Sequence, residues 1–493
     1  MSKRHHNPSV TSIISKLGKD SIIYGVSGTI GKIFGFLLLP LITRIFSREQ
    51  YGIIELVTVF CSFIAVFALA GMNSAQMVYY YDKGINKKDV LITNTIFFFI
   101  WGAILYYSIF LLYPFFFEKF ITDLIPKSVI VLGLLSSYLL ILNNHFSSIF
   151  RLIMKPWKFL SINVLGVIVT YSLLLYFVIY LHTGLDGYFL SKIISSITII
   201  FISIFILKNY INGSFSIDIF KRMLLVGLPL IPTDLGTALI NISDRFFINR
   251  YLSLDEVGLY GVGVRIASIT LLFTYAFRLA WPPIAMSIKE KTNAKYIYTK
   301  IRLPFFLLGS IIVIVISGLA KPILVIMTQP DFYDAYKCVG FFAYGIWWAS
   351  SYFVSGLGLF ITKKTKFFSI GILLSGIVGV ILNICLIPTY GITGAAFATC
   401  IAHFVGNLIT NYYSNRYYPL GLSTVNLFLI LFVTLFSVGL QLMFFDLNLN
   451  LPTLSIAILG TWIISIFILV KFLGNDDIER IKEYIFPIFR LMK

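Results

Sequence analysis

Several ionisable side chains lie within stretches of the sequence that are otherwise apolar. They are Lys32, Glu55, Lys192, Asp234, Asp244, Arg245, Arg265 and Arg278. A charged side chain at the centre of a membrane helix costs about 2.5 to 3.5 kcal/mol on insertion scales, so it normally faces a partner or a water-filled cavity. Basic residues outnumber acidic ones here, and guanidinium groups bind phosphate oxygens through paired donors. If these groups converge on one cavity, that cavity favours an anion.

The same residues also allow simpler interpretations. Asp244 and Arg245 point about 100° apart on a helix, so we expect them to need separate partners. Lys192 and Arg245 would alternatively extend toward the lipid headgroups. Asp234 follows Pro229 and Pro232, which interrupt regular helix. A broken helix beside a carboxylate either binds a cation, acts as a hinge or is a kink that neighbouring helices pack against.

The composition identifies the solvent of these helices as a lipid bilayer. Hydrophobic residues make up 58% of the 493 residues and charged residues 12%, a balance that excludes a water-soluble globular protein. Apolar runs of the required length, roughly 20 residues, predict about fourteen spans and an all-α integral membrane fold. The predicted spans are 22–42, 53–72, 90–113, 128–150, 160–181, 188–207, 223–248, 257–281, 303–327, 338–361, 367–387, 391–413, 425–445 and 451–472.

Lysine and arginine alternate between rich and poor loops along the chain. The N-terminal segment, every second loop and the C-terminal tail are rich in them, which predicts both termini in the cytoplasm. Most of the formal net charge of +18 is thereby explained by topology. We therefore expect no nucleic-acid partner.

A short motif occurs in both halves of the sequence. Arg44-x-x-Ser47-x-Glu49-x-x-Gly52 recurs as Arg250-x-x-Ser253-x-Asp255-x-x-Gly258. Both copies follow an odd-numbered predicted span, so they indicate parallel repeats of about six spans each. The predicted domains are an N-lobe at 1–207, a cytoplasmic connector at 208–222, a C-lobe at 223–416, two further spans at 417–475 and an amphipathic tail at 476–493.

Motifs for catalysis and nucleotide binding are absent from the sequence. It contains no Walker-type phosphate loop, no His-Glu-x-x-His zinc motif and no serine nucleophile elbow. These absences favour a transporter over an enzyme, and we expect neither a cofactor nor a metal site.

Three stretches resemble the Wzx-type polysaccharide flippases of the MATE-like MOP exporter superfamily. They are residues 28–57, 226–268 and 388–399, and with the span pattern the likeness covers nearly the whole chain. The resemblance implies two six-helix lobes in a V-shaped arrangement, with two added C-terminal helices. It also implies a multi-pass protein of the bacterial inner membrane that moves undecaprenyl-diphosphate-linked oligosaccharide units, of O-antigen, capsule or another glycan, to the outer leaflet by alternating access.

The resemblance also suggests roles for the intramembrane charges. The diphosphate would contact Lys32, Arg245, Arg265, Arg278 or Lys192, and the sugars would occupy the lumen. A coupled proton or sodium ion would bind at Glu55, Asp234 or Asp244, and polysaccharide-assembly proteins would be possible partners. One alternative is a MATE-like multidrug cation antiporter, whose lumen should be acidic or neutral. Another is a membrane-embedded glycosyl- or acyltransferase, which would need paired acids or a His-Asp arrangement at a membrane surface.

Overall fold

The computed structural model describes residues 30–31, 33–82, 84–120, 125–289, 294–420, 424–447 and 451–471. Within these ranges the chain is helical apart from short connections, and no strand occurs there. The predicted all-helical fold is confirmed for this part of the chain. Lys32 and the predicted tail at 476–493 lie outside the described residues.

The described chain divides into two compact units. The first unit contains the chain up to Gly258 together with Tyr275–Ala280, and the second contains Leu259–Thr274 and the chain from Trp281 onward. The helices of the first unit are α1 (Leu39–Ile45), α2 (Arg48–Leu69), α3 (Met72–Tyr80), α4 (Lys87–Phe120), α5 (Lys127–Leu152), α6 (Pro156–Leu175), α7 (Gly184–Leu207), α8 (Ile217–Gly227) and α9 (Ile231–Tyr251). The predicted lobe boundaries stay predictions.

The remaining helices belong wholly or partly to the second unit. Helices α10 (Leu254–Ala267) and α11 (Thr270–Ser287) contribute to both units. The second unit continues with α12 (Ala294–Met327), α13 (Tyr336–Ser355), α14 (Leu357–Ile361), α15 (Lys366–Tyr417), α16 (Thr424–Asp446) and α17 (Leu451–Lys471). A π-helical turn follows α6, and 3-10 turns precede α9 and α13.

Ten helical segments of the described chain are long and apolar enough to cross a membrane, so this is a multi-pass membrane protein. This count is smaller than the fourteen spans that the sequence predicts. The first predicted span is only partly described, the eighth is divided into α10 and α11, and the tenth into α13 and α14. The eleventh and twelfth both lie in α15.

Helix α15 is a hairpin of two antiparallel spans. Gly391 has φ 58° and ψ −140°, a conformation that glycine adopts readily because it has no Cβ. On either side of this turn, Ser375 Oγ donates a hydrogen bond of 2.6 Å to the carbonyl of Ala402. A Cβ on Gly371 would lie 3.3 Å from the Gly406 carbonyl oxygen. Small residues therefore lie at the contact between the two arms and permit their close packing.

The last two predicted spans, α16 and α17, belong to the second unit and pack within it through polar contacts as well as apolar ones. Gln441 of α16 donates a hydrogen bond of 3.2 Å to the Ile314 carbonyl of α12. Lys321 donates one of 3.0 Å to the Phe445 carbonyl, and Tyr336 donates to Asp446. Helices α16 and α17 are therefore integral to this unit.

The two copies of the repeated motif lie against each other in the first unit. A Cβ on Gly52 would lie 3.1 Å from Gly258 N and would overlap the carbonyl of Leu254. A Cβ on Gly258 would lie 3.0 Å from Gly52 N and would overlap the carbonyl of Arg48. Because Arg48 and Leu254 occupy equivalent motif positions, the contact is symmetric. Both backbones approach this closely only because both residues are glycine.

Polar groups complete the contact at the first turns of α2 and α10. Ser47 and Gln50 form a reciprocal capping box that starts α2. Arg48 Nη2 lies 2.8 Å from Glu256 Oε1 across the contact, and both side chains are partly exposed. The ion pair therefore joins the two copies beside the glycine crossing.

We expect Gly258→Ala to destabilise the protein, because the added methyl group would overlap a backbone carbonyl that cannot rotate away. Overpacking of this kind costs about 1 to 3 kcal/mol. The measurement is the thermal unfolding midpoint of the purified protein in detergent. Gly439→Ala in α16 is the control, since a Cβ there has no atom within 4 Å. Equal midpoints for the two variants would contradict the assigned contact.

Candidate functional site

A cavity of about 720 Å³ lies inside the first unit, between α2, α5, α6 and α7. Helix α5 contributes the longest wall. Its lining residues are Gly133, Ser136, Ser137, Leu140, Ile141, Asn143, Asn144, Ser147, Ser148 and Arg151. These positions recur every three or four residues, so they share one face of the helix.

The cavity extends over most of the thickness of a bilayer. At 1.5 Å per residue, Gly133 and Arg151 lie about 27 Å apart along α5. The hydrocarbon core of a bilayer is about 30 Å thick. Helix α6 lines the same cavity from Phe159 to Tyr171. The cavity is therefore a track that runs along the helices, not a local void.

Amide and hydroxyl groups line this track alongside apolar side chains. Asn73, Asn143, Asn144 and Asn163 line it together with several serines. Ser147 Oγ donates to Asn163 Oδ1 at 3.1 Å, and Asn163 Nδ2 donates to the Phe159 carbonyl at 2.9 Å. The buried Asn73 Oδ1 has no hydrogen-bond partner among the described residues. Such groups suit a ligand rich in hydroxyls, because each amide both donates and accepts.

Two cationic side chains line the cavity, and none of its described lining residues is Asp or Glu. Lys192 of α7 holds its ammonium 4.2 Å from the centre of the Tyr188 ring. Arg151, at the end of α5, holds its guanidinium 5.6 Å from the Phe159 ring. Aromatic faces attract cations but leave N–H donors available. The described walls of the cavity therefore present positive charge without a carboxylate.

A second group of charges lies where α9 packs on α2. Arg245 Nη1 lies 2.8 Å from Asp244 Oδ2, and Arg245 Nη2 lies 3.8 Å from Glu55 Oε2. Asp244 is fully buried and Arg245 is 5% exposed. The expectation that Asp244 and Arg245 need separate partners is wrong, because the Arg245 side chain bends back and pairs with Asp244, the residue before it. Three of the predicted site residues thus form one network.

The other predicted site residues are distributed over both units. Arg265 is half-buried on α10 within the second unit, and Arg278 is exposed on α11. Asp234 is exposed near the start of α9. Among the described basic candidates, Lys192 is the one that lines the cavity. The convergence of these cations on one lumen, and their individual roles, stay predictions.

Sequence analysis missed Arg151 and the asparagines. Arg151 lies one residue beyond the predicted span 128–150, and the asparagines carry no charge. Their signal is nevertheless present: between Ser136 and Arg151 the serines, the two asparagines and Arg151 fall on one helical face of a membrane span. A polar face inside a membrane helix indicates a packed or water-lined interior.

The chain resembles known proteins in sequence. Residues 17–289, more than half of the chain, match the family of polysaccharide biosynthesis proteins. A relative from Haemophilus influenzae, Lsg locus putative protein 1, is 24% identical over 278 residues. The match covers 54% of this chain and 65% of that protein, so the chain aligns with just under two thirds of its relative.

Two solved structures share the fold over most of their length. The lipid II flippase MurJ, in an inward closed conformation, has a TM-score of 0.69 and 18% identity, covering 93% of this chain and all of that one. An inward-facing multidrug resistance MATE family transporter of the MOP superfamily has a TM-score of 0.66 and 14% identity, covering 81% of this chain and 98% of that one.

These likenesses confirm the fold class and the family expected from the sequence. The MurJ and MATE structures are too distant in sequence to establish more than the fold, while the family match rests on the sequence itself. The chain belongs to the polysaccharide biosynthesis protein family.

Proposed function

We propose that this protein moves an undecaprenyl-diphosphate-linked oligosaccharide from the cytoplasmic to the outer leaflet. The observation that carries the proposal is the cavity of the first unit, which combines hydroxyl and amide groups with two cations and no described carboxylate. A bare diphosphate would be prohibitively costly to move through hydrocarbon. Fixed polar groups that replace its water lower that barrier, while the prenyl chain remains in lipid.

Arg151 is suited to receive the diphosphate. Arg151 ends α5, Lys155 lies in the connection to α6 and Lys158 lies in the first turn of α6. The positive-inside rule assigns this end of the helices to the cytoplasm. The precursor would therefore meet Arg151 first. A guanidinium holds phosphate oxygens through two parallel hydrogen bonds. The amides deeper in the cavity would then bind sugar hydroxyls.

The network of Glu55, Asp244 and Arg245 supports a different role, ion coupling. Both carboxylates lie near the Arg245 guanidinium, so a proton or sodium ion bound at either one would compete with it. Such competition would loosen the packing of α2 on α9. In this proposal Arg245 positions the two helices and does not bind the diphosphate. Asp234, exposed near the start of α9, is a further candidate for the coupled ion.

The proposal places the protein in the bacterial inner membrane with both termini in the cytoplasm. There the other polysaccharide-assembly proteins would supply its substrate and receive its product. Transport requires no bound cofactor, since the driving force would come from the coupled ion.

A multidrug cation antiporter is the second candidate, because a MATE transporter shares the fold. An organic cation would need acidic or neutral walls. The described lining of the cavity instead carries Lys192 and Arg151. This charge favours the anionic glycolipid over the drug cation.

Arg151→Gln should slow the movement of polyprenyl-diphosphate oligosaccharide across proteoliposomes about tenfold or more, because hydrogen bonds to charged groups contribute about 1.5 to 3 kcal/mol. Lys158→Gln removes the same charge from the same end of these helices, outside the cavity, and should leave the rate within about twofold. Uptake of an organic cation is measured alongside. Cation uptake without glycolipid movement would overturn the proposal in favour of the antiporter.

Arg245→Ala should destabilise the protein strongly, because removing one partner of a buried ion pair costs about 3 to 5 kcal/mol. Glu55→Gln should cost less, since Arg245 keeps Asp244. The unfolding midpoint in denaturant measures both. Arg222→Ala breaks the exposed pair with Asp218 and should change stability by less than about 1 kcal/mol. If Arg245→Ala behaves like Arg222→Ala, the network does not hold α2 and α9 together.

A further inference from the structure

The two cations of the cavity lie far apart along it. Phe189 of α7 is level with Gly133 of α5, since a Cβ on that glycine would lie 3.6 Å from the Phe189 ring. Lys192 is one turn further along α7, which places it beside Ser136 and Ser137. From there to Arg151 the distance along α5 is about 20 Å. One cation therefore lies near each end of the polar track.

A single diphosphate contacts only one of these cations at a time. Its phosphates are adjacent, and a charge-assisted hydrogen bond requires heavy atoms about 2.7 to 2.9 Å apart. When the diphosphate binds Arg151, Lys192 lies well beyond its reach. A lysine at this depth in a membrane helix normally faces a partner of its own. The described walls of the cavity provide an aromatic ring for Lys192 but no carboxylate.

We propose that the transported glycan carries a carboxylate of its own, which Lys192 binds while Arg151 binds the diphosphate. The inference rests on the proposed function and adds the class of glycan: an oligosaccharide with an acidic sugar, distant from the diphosphate. Between the two anions, the wall offers Asn143, Asn144 and Asn163 to the sugar hydroxyls. The spacing of the cations thus selects for glycan length as well as charge.

The geometry assigns the roles in a definite order. The prenyl chain keeps the diphosphate near the lipid, so the distal end of the glycan extends furthest into the cavity. Lys192 lies in the part of the cavity furthest from Arg151. It therefore meets the distal sugars, whereas Arg151 meets the group that every polyprenyl-diphosphate substrate shares.

The test compares two substrates that differ in charge alone. One is a polyprenyl-diphosphate oligosaccharide with a distal uronic acid, and the other is the same molecule with that carboxyl reduced to a primary alcohol. In proteoliposomes, the wild-type protein should move the acidic form about tenfold faster, as expected for one charge-assisted hydrogen bond.

Variants of Lys192 assign this preference to one side chain. Lys192→Gln should bring the two rates to within about twofold by slowing the acidic form, and Lys192→Arg should retain the preference. Lys208→Gln, which removes a lysine from the end of the same helix outside the cavity, should also retain it. Arg151→Gln should slow both forms equally.

The outcomes separate this inference from the proposed function. If the wild-type protein moves neither substrate, the flippase proposal fails. If it moves both at the same rate, or if Lys192→Gln keeps the full preference, the flippase proposal stands and the acidic-glycan inference is overturned. Should Lys192→Gln fail to fold, the wild-type comparison together with Lys192→Arg decides the question.

Discussion

A polar group inside a bilayer must find its partner within the protein, because lipid supplies none. This constraint explains the placement of several buried polar residues. Lys321 donates to a backbone carbonyl of α16, Gln441 to one of α12, and Arg245 lies between two carboxylates. Each such contact also joins two helices or two turns of one helix. The same contacts therefore satisfy the polar groups and hold the helices together.

The first unit meets this constraint in two different ways. At Arg245, charge is neutralised by protein carboxylates, and the resulting network favours one packing of α2 on α9. Along the face of α5, amides and hydroxyls line a cavity instead. The first arrangement holds helices in place, and the second leaves room for a ligand that completes the polar contacts. The role of a charged residue inside a span, structural or ligand-binding, therefore depends on its neighbours.

The sequence was sufficient to predict the elements but not their rotation about their own axes. The spans follow from apolar length, and the turn at Gly391 coincides with a predicted start of a span because glycine and proline mark it. Which face of α5 points inward depends on its neighbours, so the cavity was not foreseen. The Asp244 to Arg245 pair was missed for a related reason, since a long side chain can bend back to the residue before it. Helical geometry constrains the direction of Cβ but not the end of an arginine.

The symmetric crossing at Gly52 and Gly258 has the form of a homodimer interface enclosed in one chain. In a two-fold symmetric dimer, residue i of one subunit contacts residue j of the other, and residue j of the first contacts residue i of the second. The two copies of the repeated motif form the same kind of reciprocal contact within a single polypeptide. A true homodimer must change both halves of such an interface together. Two covalently linked copies can diverge separately, and these two copies differ in sequence. Arg48 pairs with Glu256, while the position equivalent to Arg48 is Leu254 and the position equivalent to Glu256 is Gln50. The ion pair thus makes the contact asymmetric, whereas a two-fold symmetric dimer would contain the same ion pair twice.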